Sequence, residues 1–498
     1  MRTAYPVETV RAAERELMAR VPEGALMQRA AAGLAVVCAE VLGKVYGSRV
    51  VLLVGSGDNG GDALYAGARL ARRGAGVSAV LLSPERVHGG GLAAFRAAGG
   101  RVAGGGAGGA EGALRVPDVV HVLRGADLVV DGIVGIGGKG GLRPQASELA
   151  GAVRDAGIPV VAVDLPSGVD ADTGVVSGEA VRADVTVTFG AYKPGLLIDP
   201  GREYAGVVRL VDIGLELGRP ELGRPGLGGG EVEALQYADV ASLLPMPTGE
   251  SDKYRRGVVG IVAGSDRYPG AAVLAVAGAL RGGAGAVRYV GHAADAVIAR
   301  FPETLVSAGP PSKAGRVQAW VVGPGLGDDA GRLADVIAAD VPVLIDADGL
   351  RLADAAAVRG REAPTLLTPH AGEAAALLGV AREEVERGRL AAVRELAGRY
   401  GATVLLKGST TLVAGRGDGA VRVNPTGTPW LATAGSGDVL SGLAGALLAA
   451  GLGAGDAGAV GAYLHGLAGR HAADGAPVGA HDVAEAIPAA WRDVRGLR

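Results

Sequence analysis

Three glycine-rich segments in the first half of the chain carry residue types that do chemistry. They are Gly55-Ser-Gly57-Asp58-Asn59-Gly60-Gly61-Asp62, Asp131-Gly-Ile-Val-Gly135-Ile136-Gly137-Gly138-Lys139-Gly140-Gly141 and Asp164-Leu-Pro-Ser167-Gly168. The first contains the spacing G-x-G-x-x-G of a dinucleotide fold, a weak signal alone. The next β-rich run ends LLSPE, so Glu85 comes late and after a proline, and no acid stands where a nicotinamide-linked dehydrogenase holds its ribose. Oxidoreductase chemistry is therefore disfavoured. Asp58, Asn59 and Asp62 put oxygen-bearing side chains where a bare phosphate cradle needs only amides, which suits a metal ion. A monovalent cation such as potassium takes several oxygens at once. The Asn59 amide, Asp131 carboxylate and Ser167 hydroxyl, with loop carbonyls, supply them if the three loops share one crevice. The glycines would then admit a phosphate-bearing ligand. For any one loop, a carboxylate that simply caps its own turn is the ordinary alternative.

The second half carries Thr433-Ala-Gly435-Ser436-Gly437-Asp438, followed by an Ala/Leu/Gly run that reads as a helix. Free amides at such a helix start face an anion. An aspartate directly after them is poised to take a proton from a hydroxyl while the amides stabilise a phosphoryl group in transfer. A helix N-cap role for Asp438 is compatible with this. Upstream, Lys407-Gly408-Ser409-Thr410-Thr411, Thr368-Pro-His370-Ala-Gly-Glu373 and Gly323-Pro-Gly325-Leu-Gly327 each end a β-rich run. No histidine pair has metal-ligand spacing, so no transition metal is expected.

These loops need a scaffold, and the sequence describes one. At 498 residues the chain is long enough for two or three domains of roughly 150 residues. Net charge −3 without a long basic run excludes the electrostatic footprint of a nucleic-acid binder and points to small-molecule partners. Aromatic residues are only 3% while Gly reaches 87, so Ala, Val and Gly must build the interior. The single cysteine, Cys38, excludes a disulfide framework and reads as a small buried hydrophobe. The charged N-terminal stretch predicts an amphipathic helix and no signal peptide. The uncharged run from Val439 to Gly455 predicts a buried helix and no membrane span, so a cytoplasmic location is expected. Runs such as RVVLLVG from Arg49, PVVAVDLPSG from Pro159, GVVGIVAG from Gly257 and VPVLIDADGL from Val341 alternate with helical segments, predicting parallel sheets wrapped by helices. The Pro/Gly-rich stretch LGRPELGRPGLGGG predicts a linker at 221–230 between domains at 1–220 and 231–498. The low-complexity segment from Gly99 to Gly112 is expected to be a surface loop without function.

DNGGD, DGIVGIGGKG and DLPSG resemble the motifs NNGGD, D-x-x-x-G-x-G and D-[IL]-P-S-G of the NAD(P)H-hydrate epimerase family, across nearly the whole first domain. Asp58 replaces the first Asn of the usual pair, and Ala63 stands where the family often has Gly. The resemblance implies a Rossmann-like α/β/α sandwich with potassium held by Asn59, Asp131 and Ser167. The hydrated cofactor would be contacted by Asp58, Asn59, Gly60, Gly61 and Asp62 and by Gly135, Ile136, Gly137, Gly138, Lys139, Gly140 and Gly141. Asp164 is then the acid/base at the reacting ring. Lys139, inside the glycine loop, is a second catalytic candidate that would orient the ring or polarise the hydroxyl, its ordinary alternative being a solvated loop lysine.

T-P-H-x-G-E, KGSTT and AGSGD together look like the ADP-dependent NAD(P)H-hydrate dehydratases, a ribokinase-like α/β/α fold, over about the whole C-terminal half. The likeness implies that Ala271, Gly325 or Gly327, His370 and Asp438 contact the hydrated cofactor. Lys407, Gly408, Ser409, Thr410, Thr411, Gly435, Ser436 and Gly437 would hold ADP or ATP, and Glu373 would bind magnesium through water. The expected protein is a fused repair enzyme, an isomerase and a lyase, acting on hydrated NADH and NADPH, with no nucleic-acid or membrane partner, and a homo-oligomer. The competing expectation is a ribokinase-like vitamin or sugar kinase fused to a non-catalytic nucleotide-binding domain. His370 argues against it, because vitamin kinases of this fold usually carry Asn there.

Overall fold

The computed structural model describes residues 1–103, 116–217, 231–417 and 419–496. It divides into two compact units, Thr3–Glu231 and Val232–Arg498, the latter together with Met1–Arg2. The expected linker at 221–230 and most of the glycine-rich segment after Gly99 lie outside the described residues.

A short strand, β1 (Arg2–Ala4), opens the chain and belongs to the sheet of the second unit. The first unit is built on β2 (Arg49–Val54), β3 (Gly76–Leu81), β4 (Arg101–Val102), β5 (Leu128–Gly132), β6 (Val160–Val163), β7 (Val185–Phe189) and β8 (Val207–Val211). All pairings are parallel, in the order β4-β3-β2-β5-β6-β7-β8. Val50, Leu52 and Val54 of β2 join Leu34 of the helix Ala25–Leu42 and Leu64 of the helix Asp58–Arg72 in one core. Val51 and Leu53 join Leu149 and Val153 of the helix Pro144–Ala156 in another. Both faces are covered, which is why β2 reads as a continuous apolar run rather than an alternating one. The strand order reverses between β2 and β5, and at such a switch point the loops leaving the carboxyl ends part to form a crevice. The loops singled out in the sequence follow β2, β5 and β6, three adjacent parallel strands.

The helix Ala25–Leu42 is long and apolar enough to cross a membrane, yet its Ala31, Leu34 and Cys38 sit in the sheet core. Burial there pushes the Cys38 thiol up to about 12, an inert packed residue. The N-terminal amphipathic helix is Val7–Met18, with Val7, Val10 and Ala13 buried.

The second unit adds β9 (Val232–Ala234), β10 (Val258–Val262), β11 (Ala286–Val290), β12 (Leu305–Ser307), β13 (Ala319–Val322), β14 (Val343–Ile345), β15 (Thr365–Leu367), β16 (Thr403–Leu406), β17 (Thr411–Ala414) and β18 (Val421–Asn424). Its order is β1-β9-β18-β17-β16-β15-β14-β13-β10-β11-β12, parallel from β16 to β12 and antiparallel where β17 pairs with β16 and β18. Helices Pro269–Arg281, Ser436–Ala449 and Ala454–Ala473 contribute to its core. Two helices meet backbone to backbone: a Cβ on Gly442 would lie 1.9 Å from Ala275 O, and one on Gly278 would lie 2.1 Å from Val439 O. This close approach is how a chain poor in aromatics fills its interior. Val439 to Ala449 are buried, as expected, and the helix stops before Gly451 at φ 100°.

Candidate functional site

In the first unit, β5 delivers Asp131 and the turn after β6 delivers Asp164 and Ser167. Asp131 is fully buried. Its Oδ1 accepts from Ser167 Oγ at 2.7 Å and Ile133 N at 3.3 Å, and its Oδ2 accepts from Ser167 N at 2.8 Å. Asn59, in the first turn of the helix Asp58–Arg72, donates Nδ2 to Val163 O. Its Oδ1 lies 2.2 Å from where a Cβ on Gly135 would stand, so Asn59 reaches the β5 loop, where Val134 N donates to Ser167 Oγ at 2.9 Å. Asn59, Asp131 and Ser167 therefore form one group. Burial pushes the Asp131 carboxyl up to about 6 despite those hydrogen bonds, none of which comes from a cation. A buried acid surrounded by neutral oxygens and amides fits a monovalent cation better than a transition metal.

Asp164 has left-handed backbone, φ 64°. Its Oδ1 receives Lys193 Nζ at 2.5 Å, Thr188 Oγ1 at 3.0 Å and Phe189 N at 3.1 Å, all from the end of β7 or the turn that follows it. Lys193 is 1% exposed, and Nζ also donates to Thr188 Oγ1 and Phe189 O. All these donors fall on Oδ1, which leaves Oδ2 for a ligand. Lys193 was not anticipated; a lysine in Phe189-Gly-Ala-Tyr-Lys193, following a β-rich run of an arginine-dominated chain, was the available signal. Lys139, by contrast, is exposed and stands 3.7 Å from Asp172 Oδ2, so the ammonium at Asp164 belongs to Lys193.

Asp62 is buried with Oδ1 unpartnered. Burial first, then the charges of Asp164, Asp58 and Glu14, hold its carboxyl well above the usual range and favour the protonated form. Glu14, from the helix Val7–Met18, is raised by burial although Lys193 pulls it down. Glu14 was also missed, because in the sequence it is one more charge on an amphipathic helix.

In the second unit, Gly435 (φ 88°) opens the helix Ser436–Ala449, so Asp438 sits in its first turn and does not cap it. Asp346, the residue after β14, is buried. Its Oδ1 accepts Lys407 Nζ at 2.7 Å, and its Oδ2 accepts Ser441 Oγ at 2.7 Å, from the same helix as Asp438. Lys407 Nζ also lies 3.8 Å from Glu373 Oε2. Burial alone would lower Lys407, but Asp346, Glu373 and Asp438 together hold it above its ordinary value. Asp438 is pushed up to about 7, first by burial and then by the Asp346 charge, with Lys407 opposing. The place a Gly437 side chain would occupy is 3.4 Å from Lys407 Nζ and 3.9 Å from Asp346 Oδ2. The Lys407 loop and the Gly435–Asp438 nest therefore converge. Asp346 and Asp348 were not anticipated, although the acids of IDADGL were visible at a strand end.

His370 and Glu373 share a capping box on the helix Ala371–Leu378: Glu373 N donates to His370 Nδ1 at 3.1 Å, and His370 N donates to Glu373 Oε2 at 2.7 Å. His370 is exposed, and its Nε2 stands 3.6 Å from Glu373 Oε1. Ala271 and Gly325 adjoin, a Cβ on Gly325 falling 2.7 Å from Ala271 Cβ, and Gly327 N donates to Asp348 Oδ2 at 2.9 Å. Among the described residues no group of three or more His, Cys, Asp or Glu is arranged to hold a metal ion. Glu373 alone therefore makes no magnesium site, and magnesium there would need further oxygens from a ligand.

Comparison with known proteins agrees with both halves. Residues 259–489 match the family described as NAD(P)H-hydrate dehydratase, and residues 23–195 match the family described as YjeF-related protein N-terminus. The bifunctional NAD(P)H-hydrate repair enzyme Nnr of Mycobacterium leprae (strain TN) is 50% identical over 475 residues, covering 93% of each chain. That of Corynebacterium glutamicum is 37% identical, covering 90% of this chain and 87% of the relative. Among solved structures, the ADP/ATP-dependent NAD(P)H-hydrate dehydratase of Bacillus subtilis is similar at 30% identity and TM-score 0.48, over 52% of this chain and 97% of that one. With half its residues shared across nearly the full length of the mycobacterial relative, the chain belongs to the family of bifunctional NAD(P)H-hydrate repair enzymes.

Proposed function

We propose that the first unit interconverts the R and S hydrates of NADH and NADPH and that the second dehydrates the S form at the cost of ADP or ATP. The observation that carries this reading is Asp438, raised to about 7 beside the Gly435–Gly437 nest and the Lys407–Asp346 pair. A base of that strength is half-ionised at neutral pH and can take a proton from an alcohol held against an anion site.

In the epimerase reading, the hydroxyl leaves as water with the proton that the Asp62–Asp164 carboxyl pair shares, the ring nitrogen supplying its electron pair, and water returns to either face while Asp164 Oδ2 takes a proton back. Lys193 holds the carboxylate in place, and Asp62 supplies a second, protonated carboxyl nearby. Asn59, Asp131 and Ser167 would hold potassium, which supplies fixed positive charge for an anionic part of the substrate.

In the dehydratase reading, Asp438 removes the proton of the S-hydrate hydroxyl, whose oxygen bonds to the terminal phosphorus as the bond to the nucleotide breaks. The ring nitrogen then expels phosphate, and loss of a ring proton restores the reduced cofactor, with AMP formed from ADP or ADP from ATP. Lys407, Gly408, Ser409, Thr410, Thr411, Gly435, Ser436 and Gly437 bind the nucleotide. Ala271, Gly325, Gly327 and His370 bind the hydrate.

A mixture of R and S hydrated NADH, incubated with the protein, magnesium and potassium, tests both readings through recovery of reduced-nicotinamide absorbance. Complete recovery that requires ADP or ATP is expected. Recovery halting near the S fraction would refute the epimerase reading, and a stable phosphorylated product without recovery would instead support a small-molecule kinase.

A further inference from the structure

We infer that Arg389 is a positioning residue for the nucleotide: its buried guanidinium draws in the carbonyls of the 407–411 loop and thereby turns a free amide of that loop toward the phosphates. This rests on the reading that the loop and the Gly435–Gly437 nest hold ADP or ATP. Arg389 begins the helix Arg389–Tyr400 and is 6% exposed. Its Nη2 donates to Leu406 O at 3.3 Å, Lys407 O at 3.0 Å and Thr410 O at 3.0 Å, bracketing the connection from β16 to β17.

A trans peptide unit is planar, so its N–H points away from its own C=O. Fixing the Leu406 carbonyl on the guanidinium sends the Lys407 N–H the other way, where it donates to Pro369 O at 2.8 Å. Fixing the Lys407 carbonyl does the same to the Gly408 N–H, which donates to no carbonyl among the described residues. That amide is therefore offered on the face opposite Arg389. Lys407 itself extends toward the nest, within 3.4 Å of the Gly437 side-chain position. Carbonyl oxygens would repel a phosphate, and here three of them are turned onto a cation that could not be replaced by a compact ammonium without losing its reach.

The fit is mutual. A Cβ on Gly408 would lie 2.3 Å from Arg389 Nη2 and 2.7 Å from Cζ. Glycine at 408 and arginine at 389 thus form one unit, and enlarging the first displaces the second.

The test uses the full chain and calorimetric titration with ADP and magnesium, alongside steady-state kinetics in both substrates. Arg389→Met is expected to weaken nucleotide binding about tenfold or more, the scale of one charge-assisted hydrogen-bond set. The KM for the hydrate should stay within about twofold. Gly408→Ala should do the same, and the double variant should be no worse than the weaker single one, because both remove the same arrangement. Arg389→Lys, which keeps the charge but ends one bond short of the Nη2 position that meets all three carbonyls, should also lose affinity. Unchanged nucleotide affinity in Arg389→Met, full affinity in Arg389→Lys, a parallel rise in the hydrate KM, or additive losses in the double variant would each overturn the inference. Should Arg389→Met fail to fold, judged by its melting curve and epimerase rate, Gly408→Ala decides with the arginine intact. Gly437→Val separates the two levels of reading. If it leaves nucleotide affinity unchanged, the nucleotide is not in this nest and the underlying reading fails. If it weakens binding while Arg389→Met and Gly408→Ala do not, only the role of Arg389 fails.

Discussion

Lys193 and Asp346 are both buried charges beside a proposed reacting carboxylate, but of opposite sign: Lys193 is bonded to Asp164, whereas the Asp346 charge raises Asp438. Lys193→Met would strand the Asp164 carboxylate in a buried site, and breaking such a pair costs about 3–5 kcal/mol. We expect a clear drop in melting temperature and loss of epimer exchange, with nucleotide-dependent dehydration of pure S hydrate retained. Retained epimer exchange would show that Asp164 needs no counter-charge. At Asp438 the sign is fixed by two effects. In the proposed mechanism its ionised form is the base, so dehydration should rise as pH climbs through about 7. Asp346→Asn removes the like charge that raises Asp438 and frees Lys407 to lower it further, so the rise in kcat/KM should move to lower pH, by about one unit. A pH profile that falls uniformly without moving would refute the coupling. Asn59, Asp131 and Ser167 were legible because each sits inside a short motif. Lys193, Asp346 and Arg389 were not, because their partners lie tens of residues away and only the strand order brings them together.

At the scale of elements, the parallel strands carrying the loops could be read from their continuous apolar runs, since burial on both faces demands them. Short or edge strands such as β4, β12 and β18 left no such signature. The helix Ala454–Ala473 carries His465, which is buried with Nε2 unpartnered. Burial, reinforced by the Lys407 charge, lowers this imidazole from 6.5 to about 4. A depressed folded-state value means the unfolded chain takes up the proton first. The neutral histidine therefore contributes its full stability above pH 6.5, and that contribution is lost progressively as pH falls toward 4, up to about 3 kcal/mol. His465→Asn should flatten this dependence: between pH 7.5 and 4.5 the variant should lose less melting temperature than the parent chain. Equal losses would place the acid sensitivity elsewhere.

For the whole molecule, composition and motif spacing already indicated two α/β units and small-molecule chemistry, whereas the number of strands in each sheet was not recoverable from the sequence. If the units act on freely diffusing substrate, two crippled chains should complement one another. Neither Asp164→Asn nor Asp438→Asn alone should restore a mixed hydrate pool fully, but an equimolar mixture of the two should, with ADP or ATP present. Incomplete recovery from the mixture would mean that the hydrate is passed on within one polypeptide. The membership of Met1 and Arg2 in the second unit has a consequence for synthesis. A ribosome adding about 5–20 residues per second makes the first unit from end to end before Val232 emerges. Met1 and Arg2 must therefore wait tens of seconds for the rest of their unit, and the earliest residues made are among the last to find their place.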